Sequence, residues 1–249
     1  MATEFADIIY QDQHVCEIYW DAARQSCALA YTSDYLKSGH ELSPIHLKRR
    51  RAPYQFNNLD ASFTGLPGML ADCLPDTYGN ALIDAWLRSQ NRDPASFTPV
   101  ERLCYMGARA MDALEFRPSM RTKPKGAQKV EVERLIELAS QALQAKQSLD
   151  GKLEDQADLE AIIQVGTSAG GARAKAVIAW HPETNEVRSG QSDAPAGFEH
   201  WLLKLDGVDA SFEGIKDPKG YGRIEYAYSL MAHDADIHMA PCRLLEEGT

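Results

Sequence analysis

Apolar residues first occur along the chain in short runs separated by polar segments. The runs 14–20 and 27–31 are joined by a connection that is mostly polar. Short apolar runs bounded in this way are typical of strands, so we predict a β-hairpin over these residues. The polar stretch 32–43 that follows shows no comparable pattern.

The spacing of apolar residues then changes to a helical period. Within 81–87 they recur three and four positions apart, which predicts a helix. A second helix has a clearer start, because Thr98 can accept a hydrogen bond from the backbone of Glu101 while the Glu101 carboxylate accepts one in return. Pro99 suits the first helical position, and Gly107 predicts the end of this helix.

The middle of the chain is predicted to hold a connection between two differently organised parts. Residues 111–116 return to an extended pattern, and 117–128 contain two prolines, a glycine and four basic residues, which is typical of a linker. Beyond this linker, apolar residues at helical spacing predict a long amphipathic helix over 132–143 and a short one over 159–163.

The last part of the chain follows a different order. It begins with a glycine-rich segment (166–175), a predicted strand (176–180) and a turn (182–185). A second strand (201–205), a helix (224–233) and a third strand (242–245) are predicted after the turn. Protein kinases arrange their small lobe in this order. We therefore predict an α+β fold, with an N-terminal β-hairpin and helical subdomain followed by a protein-kinase-like small lobe of antiparallel strands plus helices. The predicted domain bounds are 1–120, 121–165 and 166–249.

Composition and charge narrow the classes of protein to which the chain can belong. Of 249 residues, 44% are hydrophobic and 25% are charged, which argues against global disorder. With 36 acidic and 26 basic residues, the net charge of −10 argues against broad nonspecific binding to nucleic acid, despite the basic run 48–51. The sequence shows no apolar run that could cross a membrane and no signal peptide, so a cytoplasmic location is expected.

The cysteines predict neither a disulfide framework nor a metal site. They are odd in number, widely spaced and never arranged as C-x-x-C, so we expect buried, reduced thiols and no metal site in the chain. The five are Cys16, Cys27, Cys73, Cys104 and Cys242.

Two features of the last part can contribute to a phosphate-binding site. Backbone N–H groups of the glycine-rich segment 166–175 can approach a phosphate oxygen closely, although glycine-rich turns also occur without a ligand. This segment matches neither the Walker A pattern nor the dinucleotide fingerprint. Lys204, inside the apolar run 201–205, either extends its charge into solvent from a strand edge or points into a site where a phosphate neutralises it. Glu225 is placed on the following helix, as is the glutamate that pairs with such a lysine in protein kinases.

Several segments together resemble the HipA family of toxin kinases, and the resemblance covers nearly the whole chain. They are 66–76 with Gly79, 105–116, 166–175, 203–205 and 225–227. The Leu-Pro-Asp run in the first segment and the Thr-Ser-Ala-Gly-Gly-Ala-Arg run in the third are specific. Leu203-Lys204-Leu205 resembles the family's strand with its nucleotide-binding lysine.

This resemblance implies a serine/threonine protein kinase that transfers phosphate from Mg-ATP to a protein target. It implies that Lys204 binds the ATP phosphates, and that autophosphorylation of Ser168 displaces the glycine-rich loop and silences the kinase. The residues that it implies for nucleotide binding are Gly170, Gly171, Ala172, Arg173, Ala174, Lys175, Lys204 and Glu225. It further implies a small DNA-binding antitoxin of HipB type as partner, contact with DNA only through that antitoxin, an aminoacyl-tRNA synthetase as protein target, and no association with a membrane.

The sequence departs from the kinase pattern after Lys204. No downstream segment matches the H-x-D-x-x-x-x-N loop that supplies the catalytic base, and the histidines and aspartates of 233–238 have the wrong spacing. We therefore expect the base and the metal-binding aspartate in a large lobe outside these residues. On this view the chain carries no catalytic residue, uses ATP and Mg only with that lobe, and is inactive alone.

Two other interpretations remain open at the level of sequence. The chain can be a noncatalytic split or truncated HipA-like protein that binds an antitoxin or a separate catalytic chain. It can also be an unrelated α+β regulator in which the glycines only form turns.

Overall fold

The computed structural model describes residues 3–109, 113–120, 129, 131–147, 173–206, 208 and 220–245. Within them the strands are β1 (Phe5–Tyr10), β2 (Gln13–Asp21), β3 (Ser26–Tyr31), β4 (Tyr54–Gln55), β5 (Leu114–Arg117), β6 (Lys175–Trp180), β7 (Val187–Ser189) and β8 (Glu199–Lys204). The helices are α1 (Ser33–Ser38), α2 (Gly68–Ala71), α3 (Thr77–Ser89), α4 (Pro99–Met106), α5 (Val132–Gln147) and α6 (Tyr221–Asp234).

The described residues fall into two compact units that are each discontinuous in sequence. The first contains 3–76, 91–109 and 113–120. The second contains 77–90 and the described residues from 129 onward. Each unit holds one antiparallel sheet and several helices, so the predicted α+β class is confirmed.

The first unit is built on a five-stranded antiparallel sheet of order β4-β3-β2-β1-β5. The predicted hairpin is its β2–β3 pair, in which Ile18 lies opposite Leu29. Along β2, Ile18 and Trp20 are buried whereas Glu17 and Tyr19 are exposed, so one face of the strand faces the core. Burial of these apolar side chains stabilises the sheet by about 25 cal/mol for each Å² removed from water.

Strand β1 was not among the predicted elements, although it occupies a central place in the sheet, between β2 and β5. It is only six residues long, and the charge of Asp7 interrupts its apolar residues. Alternation of Asp7 with buried Ala6 and Ile8 is the signal that could have identified it. The polar stretch 32–43 likewise holds the short helix α1.

Helix α4 begins and ends where the sequence predicts. The Thr98 hydroxyl accepts from the Glu101 backbone N–H at 3.2 Å, and the Glu101 carboxylate accepts from the Thr98 N–H at 2.9 Å. Gly107 is the residue at the C-terminal cap of this helix. Two orphan N–H groups of the first turn are thereby satisfied, which is the function of a capping box.

Four of the five cysteines are buried, as predicted, and Cys242 is exposed. Burial raises the pKa of the Cys27 and Cys104 thiols to about 12 and raises that of Cys16 still further. These three thiols therefore stay protonated and unreactive at neutral pH.

The second unit contains a three-stranded antiparallel sheet of order β7-β6-β8. Strand β6 is its central strand and is largely buried, and the turn predicted at 182–185 joins it to β7. In the same unit, helices α3 and α5 pack against each other. The predicted helices over 81–87, 132–143 and 224–233 are confirmed as α3, α5 and α6.

The prediction of a third strand at 242–245 is wrong. These residues adopt no regular structure and pair with no strand, and Leu244 and Leu245 are 40% and 39% exposed. The third strand of the sheet is β7, which pairs with β6 through Trp180 and Val187. Its three residues include Arg188 and Ser189, so it was too short and too polar for the hydrophobic pattern to indicate it.

None of the helices in the described parts of the chain combines the length and the apolar composition that crossing a membrane requires. The short helix predicted at 159–163 and most of the predicted linker lie outside the described residues.

Candidate functional site

The candidate site lies where strands β6 and β8 of the second unit meet the start of helix α6. The two strands run antiparallel, so that Lys175 at the start of β6 lies opposite Lys204 at the end of β8. The backbone of Ala174 extends this ladder, because its carbonyl accepts from the Leu205 N–H at 3.0 Å. Sheet hydrogen bonds thus hold both lysines at one end of the sheet.

Asp206 holds the start of α6 close to the end of β8. Its two carboxylate oxygens accept from the backbone N–H of Gly220 at 3.1 and 3.0 Å. Gly220 has φ of 108°, a left-handed conformation that L side chains rarely adopt. A negative charge beside the N-terminus of a helix also interacts favourably with the helix dipole.

The central contact of the site is the ion pair between Lys204 and Glu225. The Lys204 Nζ donates to the Glu225 Oε2 at 2.5 Å, and the two side chains are 52% and 42% exposed. A pair this exposed contributes only about 0.2–1 kcal/mol to stability. Its main consequence is to fix the position of the ammonium group at the mouth of the site.

Arg173 brings a second cation to the same glutamate. Its Nη1 lies 4.0 Å from the other carboxylate oxygen of Glu225, and its guanidinium group lies 3.5 Å from the centre of the Tyr221 ring. Tyr221 and Glu225 are four residues apart on α6 and therefore share one face of the helix. Stacking on a ring and pairing with a carboxylate together hold the guanidinium plane in one orientation.

The arrangement therefore presents two partly exposed cations, Lys204 and Arg173, on either side of one carboxylate. An ammonium and a planar guanidinium group that are held in place can bind the oxygens of a phosphate chain, the ammonium as a point charge and the guanidinium through paired hydrogen bonds.

Lys175 was predicted to lie at the end of the glycine-rich loop, and the structure places it in a strand. It lies in strand β6, is 3% exposed, and Ala174 beside it is 2% exposed. These two residues belong to the sheet, and of the predicted nucleotide-binding residues between 170 and 175 only Arg173 is both described and partly exposed. Ser168, Gly170, Gly171 and Ala172 lie outside the described residues.

Two residues of the site were not predicted. Tyr221 and Asp206 complete the surroundings of Arg173 and Gly220, yet neither belongs to a recognised motif. An aspartate two residues after a strand, followed at a distance by a glycine directly before the helical segment that begins with Tyr221, is the signal that could have found them.

The histidines and aspartates of 233–238 do not join this site. Asp234 is the last residue of α6, nine positions after Glu225, which corresponds to about 14 Å along the helix axis. In protein kinases the metal-binding aspartate and the strand lysine act on the same phosphates, and Asp234 lies too far along α6 from Glu225, the partner of Lys204, to share a site with that lysine.

Comparison with known families gives two matches. The family model described as the HipA N-terminal domain matches residues 6–117, and the one described as the HipA-like C-terminal domain matches residues 167–249. Together the two ranges account for most of the chain, and the second contains Arg173, Lys204 and Glu225. No curated protein matches the chain.

Proposed function

The chain belongs to the HipA family, and from this premise we propose that it forms the nucleotide-contacting part of a HipA-type serine/threonine protein kinase. In this proposal Lys204 contacts the phosphates of ATP, Glu225 positions Lys204, and Arg173 contributes a second positive charge. The observation that carries the proposal is the Lys204–Glu225 ion pair at the junction of β8 and α6.

The chemistry of phosphoryl transfer supports this assignment. Transfer of a phosphoryl group places little covalent demand on the protein and depends on positioning and on charge stabilisation. In protein kinases a lysine on a strand pairs with a glutamate on the following helix, and the pair must be in place for activity. Lys204 and Glu225 have this relation in both element type and order.

The cations present fit a triphosphate better than they fit a neutral ligand. Lys204 keeps half of its side chain accessible while its ammonium group donates to Glu225, so the same group can also donate to a phosphate oxygen. Mg²⁺ bound to ATP would neutralise charge on the phosphates during transfer. This chain's own contribution is to bind and orient the phosphates.

The remaining parts of the proposal follow from family membership. The phosphoryl acceptor would be a serine or threonine of a protein target, such as an aminoacyl-tRNA synthetase. Ser168 would be the autophosphorylated residue of the glycine-rich loop, and an antitoxin of HipB type would be the partner that silences the kinase. Because no H-x-D-x-x-x-x-N loop follows Lys204 in these 249 residues, the proposal assigns the catalytic base to a large lobe outside them.

The test is phosphoryl transfer by this chain combined with a HipA-type large lobe. We expect Lys204→Ala to abolish transfer from ATP to protein serine or threonine, because the phosphates lose their fixed cation. The matched control is Lys37→Ala, which removes an exposed lysine that pairs with Asp34 at 3.0 Å on α1. Both variants should change the free energy of unfolding by less than about 1 kcal/mol, and mass spectrometry should place the autophosphorylation on Ser168.

Normal turnover by the Lys204→Ala protein would show that the lysine is wrongly assigned. If the unsubstituted protein itself transferred no phosphate, the kinase proposal would fail. The absence of a base motif after Lys204 favours a second candidate in that case, a noncatalytic HipA-like protein that binds an antitoxin or a separate catalytic chain. Co-purification with the antitoxin in the absence of nucleotide binding would support it.

A further inference from the structure

A second cluster of chemically active side chains lies in the first unit, on the five-stranded sheet. It consists of Asp7 on β1 and of His14 and Glu17 on β2. One imidazole nitrogen and two carboxylate oxygens from these residues all lie within 4.8 Å of one another. Among the residues that the structure describes, no other group of three or more such side chains converges in this way.

A β-bulge brings the histidine to the same face as the two carboxylates. Asp7 lies opposite Glu17 in the β1–β2 ladder, and the register then shifts by one residue between Ile8 and Ile9. Because of this shift Val15 and Cys16 are both buried, and His14 lies opposite Ile9, two residues from Asp7 on the same side of β1. With regular alternation, His14 would face the core; with the bulge, it faces outward beside Glu17.

The histidine presents a ring nitrogen that is shielded from water and has no hydrogen bond. The Nε2 of His14 is inaccessible to solvent and lacks a hydrogen-bond partner among the described residues. It lies 3.5 Å from the Oδ1 of Asp7. A buried polar atom without a partner is unfavourable unless something else satisfies it, and a bound cation accepting the nitrogen lone pair would do so.

We propose that Asp7, His14 and Glu17 bind a divalent first-row transition metal ion, with Zn²⁺ as the best-fitting member of that class. An imidazole with two carboxylates is a ligand set for such ions, whereas Ca²⁺ and Mg²⁺ take oxygen ligands only. Three protein ligands leave a fourth position for water in a tetrahedral arrangement.

The geometry needs only side-chain adjustment to reach coordination distances. Bonds of about 2.0–2.1 Å in a tetrahedron place ligand atoms about 3.3 Å apart, and the present separations do not exceed 4.8 Å. Asp7 is 51% exposed and Glu17 is exposed, so both carboxylates can rotate toward His14 without disturbing the core. The bound ion would then join β1 to β2 across the bulge and stabilise the sheet of the first unit.

The experiment is calorimetric titration of the full chain, freed of metal by a chelator, with ZnCl₂. All proteins carry Cys242→Ser, because the exposed thiol of Cys242 would otherwise compete for zinc. We expect one ion per chain and a higher thermal unfolding temperature with zinc present. Each of Asp7→Asn, His14→Gln and Glu17→Gln should weaken zinc binding at least tenfold.

The matched controls carry the same chemical changes outside the cluster. They are Asp12→Asn, at the turn between β1 and β2, and His40→Gln, at an exposed position after α1; both should keep zinc affinity within twofold. A cooperative thermal unfolding transition measured without metal shows that a variant is folded. If one cluster variant does not fold, the zinc affinities of the other two test the proposal. Absence of zinc binding by the unsubstituted chain, or equal affinity in cluster and control variants, would overturn the proposal.

Discussion

Glu101 shows how much one side chain can contribute to the first unit. Its carboxylate is fully buried, yet it accepts from the Thr98 N–H at 2.9 Å, from the Arg92 Nη2 at 2.7 Å and from the Thr3 N–H at 3.2 Å. The same residue therefore caps α4, pairs with an arginine and attaches the start of the chain. Only the first of these roles could be predicted from the sequence, because Arg92 and Thr3 are brought to Glu101 by the fold.

Loss of this carboxylate should destabilise the protein strongly. We expect Glu101→Ala to lower the free energy of unfolding by about 3 kcal/mol, since it removes the cap and leaves Arg92 without its buried partner. Arg92 is 32% exposed and can turn to water, which keeps the loss near the lower end for a buried pair. Urea unfolding measures the change.

The control for this prediction is Glu137→Ala on α5. Glu137 pairs with Arg134, and both side chains lie at the surface, 58% and 43% exposed. Its loss should change the free energy of unfolding by no more than about 0.5 kcal/mol. Equal effects of the two substitutions would contradict the role given to the buried Glu101 network.

At the level of elements, the start of a helix or strand could be predicted where the residues that determine it lie close together in the sequence. The start of α4 depends on Thr98 and Glu101, which are three residues apart, and it was predicted correctly. Strands β1 and β7 were missed although each pairs with its neighbour in sequence, because Asp7 interrupts the apolar residues of β1 and because β7 has only three residues, two of them polar. The segment 242–245 has an apolar pattern but no partner strand, which is why a strand was wrongly predicted there.

Gly190, the residue after β7, lies close to the backbone of β6, and we therefore expect a side chain at this position to destabilise the sheet. A Cβ added at Gly190 would lie 2.8 Å from the backbone N and C of Ile178, and the Gly190 N–H donates to the Val177 carbonyl at 3.0 Å. Because strand backbone would have to move, we expect Gly190→Ala to destabilise the second unit by about 2 kcal/mol. Hydrogen exchange of the β6 amides reports the effect on this sheet.

Gly68→Ala is the matched control for this substitution. A Cβ at Gly68 meets only a side-chain atom of Phe63, at 3.8 Å, which is ordinary contact. This substitution should leave the exchange of the β6 amides unchanged and alter the free energy of unfolding by less than about 1 kcal/mol. Similar loss of protection in both variants would show that Gly190 has no special role.

At the level of the whole molecule, the compact units do not follow the chain in a linear order. Helix α3 belongs to the second unit, although 91–109 returns to the first. A hydrophobic pattern describes which face of a helix is buried but not which distant segment covers it, so such a division cannot be deduced from periodicity. The bounds at 120 and 165 that the sequence suggested stay a prediction.

The candidate site was predictable in outline because it depends on the order of elements along the chain. The order of a glycine-rich segment, a lysine in a strand and a glutamate in the next helix is written in the sequence, so Lys204 and Glu225 could be named before their contact was known. The stacking of Arg173 on Tyr221 and the hydrogen bonds from Gly220 to Asp206 depend on three-dimensional proximity and could not.

A lysine-reactive acyl phosphate of ATP shows whether Lys204 is the lysine next to the ATP phosphates. Such a reagent acylates the amine closest to the bound phosphates, and the covalent product records binding even when affinity is weak. The protein is this chain combined with a HipA-type large lobe, and mass spectrometry locates the label. Lys37, exposed on α1, reports nonspecific acylation.

We expect the label to accumulate on Lys204 well above Lys37, and excess ATP present during the reaction to prevent labelling of Lys204 alone. Labelling of Lys175 in place of Lys204 would assign the phosphate contact to the opposite strand, β6. Equal labelling of Lys204 and Lys37 that ATP does not change would contradict the claim that β8 and α6 form a nucleotide site.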